Sequence, residues 1–272
     1  MADARWIYDL TIFLYAASVL FYFNDFLQSN RKVNRLAFGL LAVVWALQSA
    51  FFVSQMAEKS YFPVITLFET LFFYSWVLVT LSLVINYFFR IDLLVFFTNV
   101  IGFVVLVLSM FLPETPLTAV SETLTSELLL IHITLAMFSY GAFSLSMIFS
   151  AMYLLQHKML KEKRWTPLLR RLPSLDMLEV YAYRMNVVGV PMLLLAIILG
   201  IIWGKLVLPE KFWLDAKVLL SILVLGAYSY WLYKRFSDTW QMRRLAQFNL
   251  TAFLLLLVNF LATDISKFHS WL

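Results

Sequence analysis

The sequence predicts an all-α, polytopic integral membrane protein of about eight transmembrane helices with both termini outside, and three observations carry that prediction. Charged residues make up only 14% of the 272 residues, while hydrophobic residues make up 62%. A soluble domain has roughly 25% charge, so a water-soluble fold of this length would lack the polar surface to cover itself. The charges sit in short clusters, and the apolar runs between them are long enough to cross about 30 Å of hydrocarbon as helices of roughly 20 residues. Those runs are continuous, where the strands of a membrane barrel would alternate over about ten residues.

The spans are placed at about 8–27, 36–56, 62–89, 92–112, 124–156, 185–208, 214–234 and 245–264. The first has Arg5 ahead of it and no small-residue cleavage site after it, so it reads as a retained span and not as a signal peptide. The second follows Arg31, Lys32 and Arg35. The third contains Pro63 near its start and Glu69 about two turns further in, and Arg90 separates it from the fourth. The fifth is longer than a bilayer requires, which predicts tilt or a helix that continues into water. The sixth carries Gly189, Pro191, Gly200 and Gly204, residues that in a membrane helix permit close packing or a kink. Asp215 and Lys217 open the seventh, and Arg243 and Arg244 precede the eighth.

Orientation follows from the connections. Lys and Arg concentrate at 31–35, at Arg90, along 157–184 and at 234–244, while the opposite connections carry Glu58 with Lys59, Glu114, Glu122, Glu127, and Lys205 with Glu210, Lys211 and Asp215. The positive-inside rule puts both termini outside and the basic 157–184 loop in the cytoplasm. The chain thus reads as one integral membrane domain, 1–272, with 157–184 as its one surface for a soluble partner, Arg170 and Arg171 foremost. The start of that loop, HKMLKEKRWTPLLRRLP, has the composition of an interfacial helix ending before Pro173. An ordinary positive-inside anchor fits the same residues.

Composition excludes several functions. The sequence has no cysteine, which removes disulfides, thiolate nucleophiles, thioether attachment of haem and Cys-ligated metals. The formal charge of +5 comes from residues flanking apolar spans, so it signals topology and not a nucleic-acid partner. HExxH, GxGxxG, GxSxG and phosphate-loop motifs are missing, as are paired carboxylates for acid and base work. The expectation is a protein that is not an enzyme.

Depth can now be assigned to the unusual residues. His132, early in the fifth span, lies in the outer half of the membrane; Glu69, Trp203, Trp213, Asp215 and His269 are also directed to the outer side. A carboxylate or imidazole in hydrocarbon is costly unless it lines a cavity or finds a partner. Two outward histidines on different helices are what a six-coordinate haem requires, with apolar and aromatic side chains for the porphyrin and cations for its propionates. Each residue also has a plainer reading: Glu69 as a hydrogen-bonding node, His132 as a cross-helix hydrogen bond, His269 as a surface histidine. His157 stands beside Lys158 at the cytoplasmic end and reads as interfacial.

Four ordered segments resemble the cytochrome c assembly and haem-handling family. YFPVITLFETLFFYSW at 61–76 is similar to the family's FP, L, E and SW pattern and places Glu69 on its glutamate. LLIHITLAMFSYGAF at 129–143 resembles the segment holding one external haem-ligating histidine, here His132, followed by Ser139 and Tyr140. LDMLEVYAYRMNVVGVPMLLLAIILGIIW at 175–203 is similar to the LD, YR, GxP and GxxW sequence, and NFLATDISKFHSWL at 259–272 places the last family histidine on His269. The likeness covers most of the chain after residue 40.

The departures shape what the resemblance implies. Where the family has a Trp-rich loop of the WxWDPKE kind, this chain has KFWLDAKVL at 211–219, keeping Asp215 and Lys217 but placing Trp213 out of phase. Tyr233 and Gln48 fall where full haem conduits have an intramembrane histidine pair. One outward site for haem b with His132 and His269 as axial metal ligands is therefore implied, with Glu69, Trp203, Trp213 and Asp215 as further cofactor-binding positions and no relay through the bilayer. Length, span number and the altered Trp loop resemble the small members encoded with haem-biosynthetic genes in Gram-positive bacteria. That resemblance implies a multi-pass protein of the bacterial plasma membrane that lowers the amount of glutamyl-tRNA reductase, acting on the enzyme or its degradation machinery at the cytoplasmic loop. Haem handling for cytochrome c assembly or transport, and a scaffold in a membrane complex without haem, remain open beside it.

Overall fold

The computed structural model describes residues 2–59, 61–89, 91–112, 127–207 and 215–261. Every regular element among them is helical: α1 (Ala2–Gln28), α2 (Arg31–Lys59), α3 (Leu67–Phe89), α4 (Asp92–Met110), α5 (Glu127–Lys161), α6 (Pro167–Arg171), α7 (Leu175–Val207), α8 (Ala216–Phe236) and α9 (Met242–Leu261). All but α6 are long and apolar enough to cross a membrane, giving the eight spans of a multi-pass membrane protein.

The helices form two compact units, Met1–Val120 and Ser121–Leu272. In the first, α1 packs on α2 and α4, and α3 packs on α2 and α4, closing a four-helix bundle. The second closes in the same way, with α5 against α7 and α9 and α8 against α7 and α9.

Within the first unit, α1 turns the soluble pattern inside out. On α1, Tyr8, Thr11, Tyr15, Ser18, Tyr22 and Asp25 recur at three- and four-residue spacing and are all buried, while Trp6, Phe13, Leu20 and Leu27 are exposed. Lipid is as apolar as leucine, so burying leucine gains little there, and helices associate through packing and interhelical hydrogen bonds. Those bonds are present: Tyr8 Oη donates to the Leu106 carbonyl at 3.2 Å, Tyr15 Oη donates to Asn99 Oδ1 at 2.9 Å, Asn99 Nδ2 donates to Ser82 Oγ at 3.0 Å, and Ser18 Oγ donates to the Ala37 carbonyl at 2.9 Å. Gly102 admits the Tyr15 hydroxyl so closely that a Cβ there would lie 2.5 Å from it. Near one end of this bundle Tyr8, Phe51, Phe68 and Phe72 make an aromatic cluster.

In the second unit α5 and α7 run antiparallel along a stripe of small residues. Ser146 Oγ donates to the Ala182 carbonyl at 3.0 Å, the Phe143 ring lies 2.7 Å from where a Gly189 Cβ would be, and His132 meets Ala196 and Gly200. Phe143 also stacks on Tyr228 of α8, with centroids 3.7 Å apart. Asn249 of α9 donates through Nδ2 to the Ser146 carbonyl and hydroxyl and to Ser150 Oγ at 2.7–3.1 Å.

Several boundaries depart from the sequence reading, and three of them bear on the candidate residues. The third helix begins at Leu67 and not at 62, so Pro63 stands in its non-helical approach and Glu69 in its first turn. The 157–184 stretch is mostly helix: α5 continues to Lys161 and α7 starts at Leu175, which leaves 162–174 as the connection. Hydropathy stops where the bilayer stops, but backbone hydrogen bonding does not, and α5 at 35 residues is about 52 Å long. The interfacial helix expected from 157 is only the five-residue α6. Lys163, with φ of 54°, terminates α5, and Pro167 and Pro173 bracket the short helix. Leu169 and Leu172 are buried, while Trp165 and Arg170 are exposed.

Candidate functional site

The candidate site is the end of the second unit where α5 begins. His132 lies in the second turn of α5 and faces α7. Its Nδ1 is 2.6 Å from the Ala196 carbonyl. A carbonyl oxygen can only accept, so Nδ1 carries the proton, which leaves the Nε2 lone pair uncommitted by this bond. The ring rests against Gly200, where a Cβ would come 2.7 Å from Cε1 and 2.8 Å from Nδ1. Only the absence of a side chain at Gly200 lets the imidazole reach the backbone of α7. In the sequence Gly200 and Gly204 read as a packing pair; the signal for the histidine seat was the recurrence of Ala182, Gly189, Ala196 and Gly200 at seven- and four-residue spacing along one face.

Trp203 lies three residues beyond Gly200 on α7 and is half-buried. Asp215 is buried and caps α8, its Oδ1 accepting from the Lys217 N–H at 2.9 Å. Lys217, in the first turn of α8, is close enough to act electrostatically on the His132 ring, and its ammonium stands 6.0 Å from the Phe260 ring of α9. This cation was absent from the set of site residues expected from sequence. Asn259 of α9 donates to Tyr140 Oη of α5 at 2.9 Å, so the described end of α9 runs beside the end of α5 that carries His132. Trp213 and His269 lie outside the described residues.

Glu69 belongs to the first unit and has a full set of partners there. Its Oε2 accepts from the backbone N–H groups of Ile65 at 2.8 Å and Thr66 at 3.0 Å, while the Glu69 N–H donates to Thr66 Oγ1 at 3.2 Å. Thr66 and Glu69 are therefore the reciprocal pair of a capping box on α3. Its Oε1 accepts from Lys59 Nζ at 2.7 Å and from Tyr61 Oη at 3.2 Å, tying the end of α2 to the start of α3. Burial, together with the Glu69 charge and the hydrogen bond to it, pushes the Tyr61 phenol well above the usual tyrosine range. The carboxylate acts as a helix cap, and the depth of two turns expected from sequence is corrected to the first turn.

Gln48 and Tyr233 have unlike surroundings. Gln48 is fully buried and donates through Nε2 to Ser75 Oγ at 3.2 Å, whereas Tyr233 is 62% exposed. At the far end of the second unit Arg235 forms an ion pair with Glu179 across α8 and α7. Beside it, Ser150, Glu179, Trp231 and Leu245 line a cavity of about 10 Å³, room for about one water and none for a porphyrin. Arg170 is exposed and Arg171 half-buried on α6. Among the described residues no three His, Cys, Asp or Glu side chains cluster as a metal site.

The family model described as cytochrome C assembly protein matches residues 64–269, a stretch that takes in both Glu69 and His132. Protein HemX of Brevibacillus brevis is 78% identical over 271 residues, covering 100% of both chains. Protein HemX of Bacillus subtilis (strain 168) is 51% identical over 261 residues and 95% of each chain. The cytochrome c biogenesis protein CcsA of Mesostigma viride is 23% identical over 284 residues, 94% of this chain and 90% of the other.

Proposed function

The chain belongs to the cytochrome c assembly protein family, and from that premise we propose that it is a non-enzymatic membrane accessory of haem biosynthesis. In this reading it lowers the cellular amount of glutamyl-tRNA reductase and senses haem b at an outward-facing site. The observation that carries the haem part is the fixed tautomer of His132: with Nδ1–H held by the Ala196 carbonyl at 2.6 Å, Nε2 is the free donor atom that an iron requires. The residues present fit the group in a second respect, because the ring is seated on Gly200 and held in one orientation.

Haem, when bound, would supply an iron that takes neutral imidazoles as ligands. His132 would hold one of them through Nε2, and Lys217 is the cation placed to meet a propionate. His269 is the candidate for the other position. It lies eight residues past Leu261, the described end of α9, a chain length that reaches up to about 26 Å. His132 stands only about 12 Å along α5 from Tyr140, which Asn259 of α9 touches.

The distribution of Lys and Arg supports an orientation with this site outside and the 162–174 connection in the cytoplasm. The bacterial relatives support a plasma-membrane location. One uninterrupted helix, α5, joins the two ends, so occupancy at His132 can bias its packing on α7 and thereby the connection that presents Arg170 and Arg171.

The experiment is the absorption spectrum of detergent-purified protein, oxidised and reduced, with haem supplied during expression. A six-coordinate haem b spectrum that is lost in the His132→Ala, His269→Ala pair supports the site. Well-folded protein without stoichiometric haem would turn the reading toward a haem-free scaffold. Reductase abundance and half-life after depletion of the protein test the regulatory half, which fails if neither changes. The distant relative named for cytochrome c biogenesis favours haem handling as a second reading. Gln48 and Tyr233 at the intramembrane histidine positions weigh against a conduit, and unimpaired cytochrome c maturation in cells lacking the protein would remove it.

A further inference from the structure

The turn between α8 and α9 gathers cations around one indole. Lys234 Nζ stands 5.3 Å from the Tyr230 ring centroid and 5.7 Å from those of Tyr233 and Trp240, and the Arg244 guanidinium stands 4.3 Å from Trp240. Trp240 is fixed in place by edge contacts with Tyr230 at 5.6 Å and Phe248 at 5.5 Å. Arg243 adjoins Arg244 and is exposed. Two cations on one ring repel each other, and the ring's quadrupole attracts each of them without neutralising either. Among the described residues, none of Lys234, Arg243 and Arg244 forms an ion pair with a carboxylate. The neighbouring Arg235 differs: it is taken up by Glu179 and the Tyr183 ring. Asp238, the carboxylate of the turn, is exposed and makes no ion pair among the described residues.

The surface leading away from this cluster is apolar. Leu219, Ile222, Leu223, Tyr230 and Tyr233 are exposed on one stripe of α8, with Gly226 as an indentation where a Cβ would meet nothing within 4 Å. In a chain that spans a bilayer this stripe faces acyl chains. A free phosphate ion would use the cations and ignore the stripe, whereas a phospholipid uses both.

We propose that the α8–α9 turn binds the phosphate headgroup of an anionic phospholipid, with Lys234 and Arg244 as its cations, Trp240 as their platform and the α8 stripe as the wall for an acyl chain. The site is independent of haem at His132, since it lies at the opposite end of the second unit. It sits at the membrane face where the positive-inside rule expects anionic headgroups to meet basic residues. What distinguishes it from a diffuse basic margin is the fixed indole shared by two cations.

The test is native mass spectrometry of the full chain released from detergent with equal amounts of phosphatidylglycerol and phosphatidylcholine. The parent is expected to retain one phosphatidylglycerol in preference to phosphatidylcholine. The Lys234→Gln, Arg244→Gln pair should lose that preference by about tenfold or more, and Trp240→Leu should weaken it. The charge-preserving Lys234→Arg, Arg244→Lys pair should retain it, which separates headgroup binding from misfolding. Lys163→Gln with Arg164→Gln, two exposed cations of the α5–α7 connection, should leave it unchanged. Equal retention of both lipids, an equal loss in the connection variant, or displacement of the lipid by millimolar inorganic phosphate would each overturn the proposal, the last by assigning the cations to a soluble anion.

Discussion

The imidazole of His132 on α5 occupies the space that a side chain at Gly200 on α7 would need: a Cβ there would stand 2.7 Å from Cε1. Two sequence features 68 positions apart are thereby one structural unit, and the Nδ1 bond to Ala196 depends on both.

Gly200→Ala should displace the ring, break that bond and free the tautomer. The expected result is a lower haem content or an altered spin state, with stability falling by about 1–3 kcal/mol from overpacking. Gly226→Ala is the matched control. A Cβ there meets nothing within 4 Å, so helix propensity predicts a gain of roughly 0.5–1 kcal/mol and an unchanged spectrum. Absorption spectra and thermal unfolding of the two variants decide the matter.

Glu69→Ala removes one half of the capping box and leaves Lys59, Tyr61 and two backbone N–H groups without their acceptor. A loss of about 2–4 kcal/mol is expected, combining a lost cap with charge-assisted hydrogen bonds. Glu69→Gln should recover part of it. Because the effect is confined to the start of α3, hydrogen exchange should report increased opening at 61–70 first, and any haem spectrum should keep its shape.

The raised phenol of Tyr61 makes a pH prediction. A group whose folded pKa lies above its unfolded value contributes stability that is complete below the unfolded value of about 10. That contribution is lost as pH rises from there through the folded value. Tyr61→Phe should therefore flatten the alkaline fall in melting temperature while changing little at neutral pH beyond the cost of one hydrogen bond to Glu69.

Gly102→Ala should clash with the Tyr15 hydroxyl at 2.5 Å and cost about 1–3 kcal/mol. Tyr15→Phe alone strands Asn99 Oδ1 and costs about 1 kcal/mol. The double variant should be more stable than the sum of the singles predicts, because the phenylalanine lacks the very atom that the new methyl would meet. Strict additivity in a double-mutant cycle would count against this packing.

Asn249→Ala removes the α9 donor that serves Ser146 and Ser150 of α5. A cross-helix hydrogen bond in lipid is worth about 0.6 kcal/mol on average and up to about 1.7, so a loss of about 1–2 kcal/mol is expected from a donor shared among three acceptors. Unfolding of the parent and variant in mixed micelles by denaturing detergent measures it.

Much of the architecture is determined by the sequence alone. Continuous apolar runs can satisfy their backbone groups in hydrocarbon only as helices, so the eight spans and their order follow from composition, and the four family-like segments mark the membership. What composition could not settle is where each helix ends. Lys161 and Leu175 are helical because backbone hydrogen bonding continues past the hydrocarbon, a matter on which hydropathy is silent. Nor could it assign Glu69, since a carboxylate in an apolar stretch reads alike as a ligand or a cap until Ile65, Thr66, Lys59 and Tyr61 are seen to converge on it. His132 was legible as an unusual residue at a definite depth, but its tautomer is set by the Ala196 carbonyl and the bare Cα of Gly200 on another helix. The inverted α1 belongs to the same class: spacing shows that Tyr8, Tyr15 and Tyr22 share a face, and only packing decides that this polar face is the one turned inward, because in lipid the hydroxyls have no water to turn to.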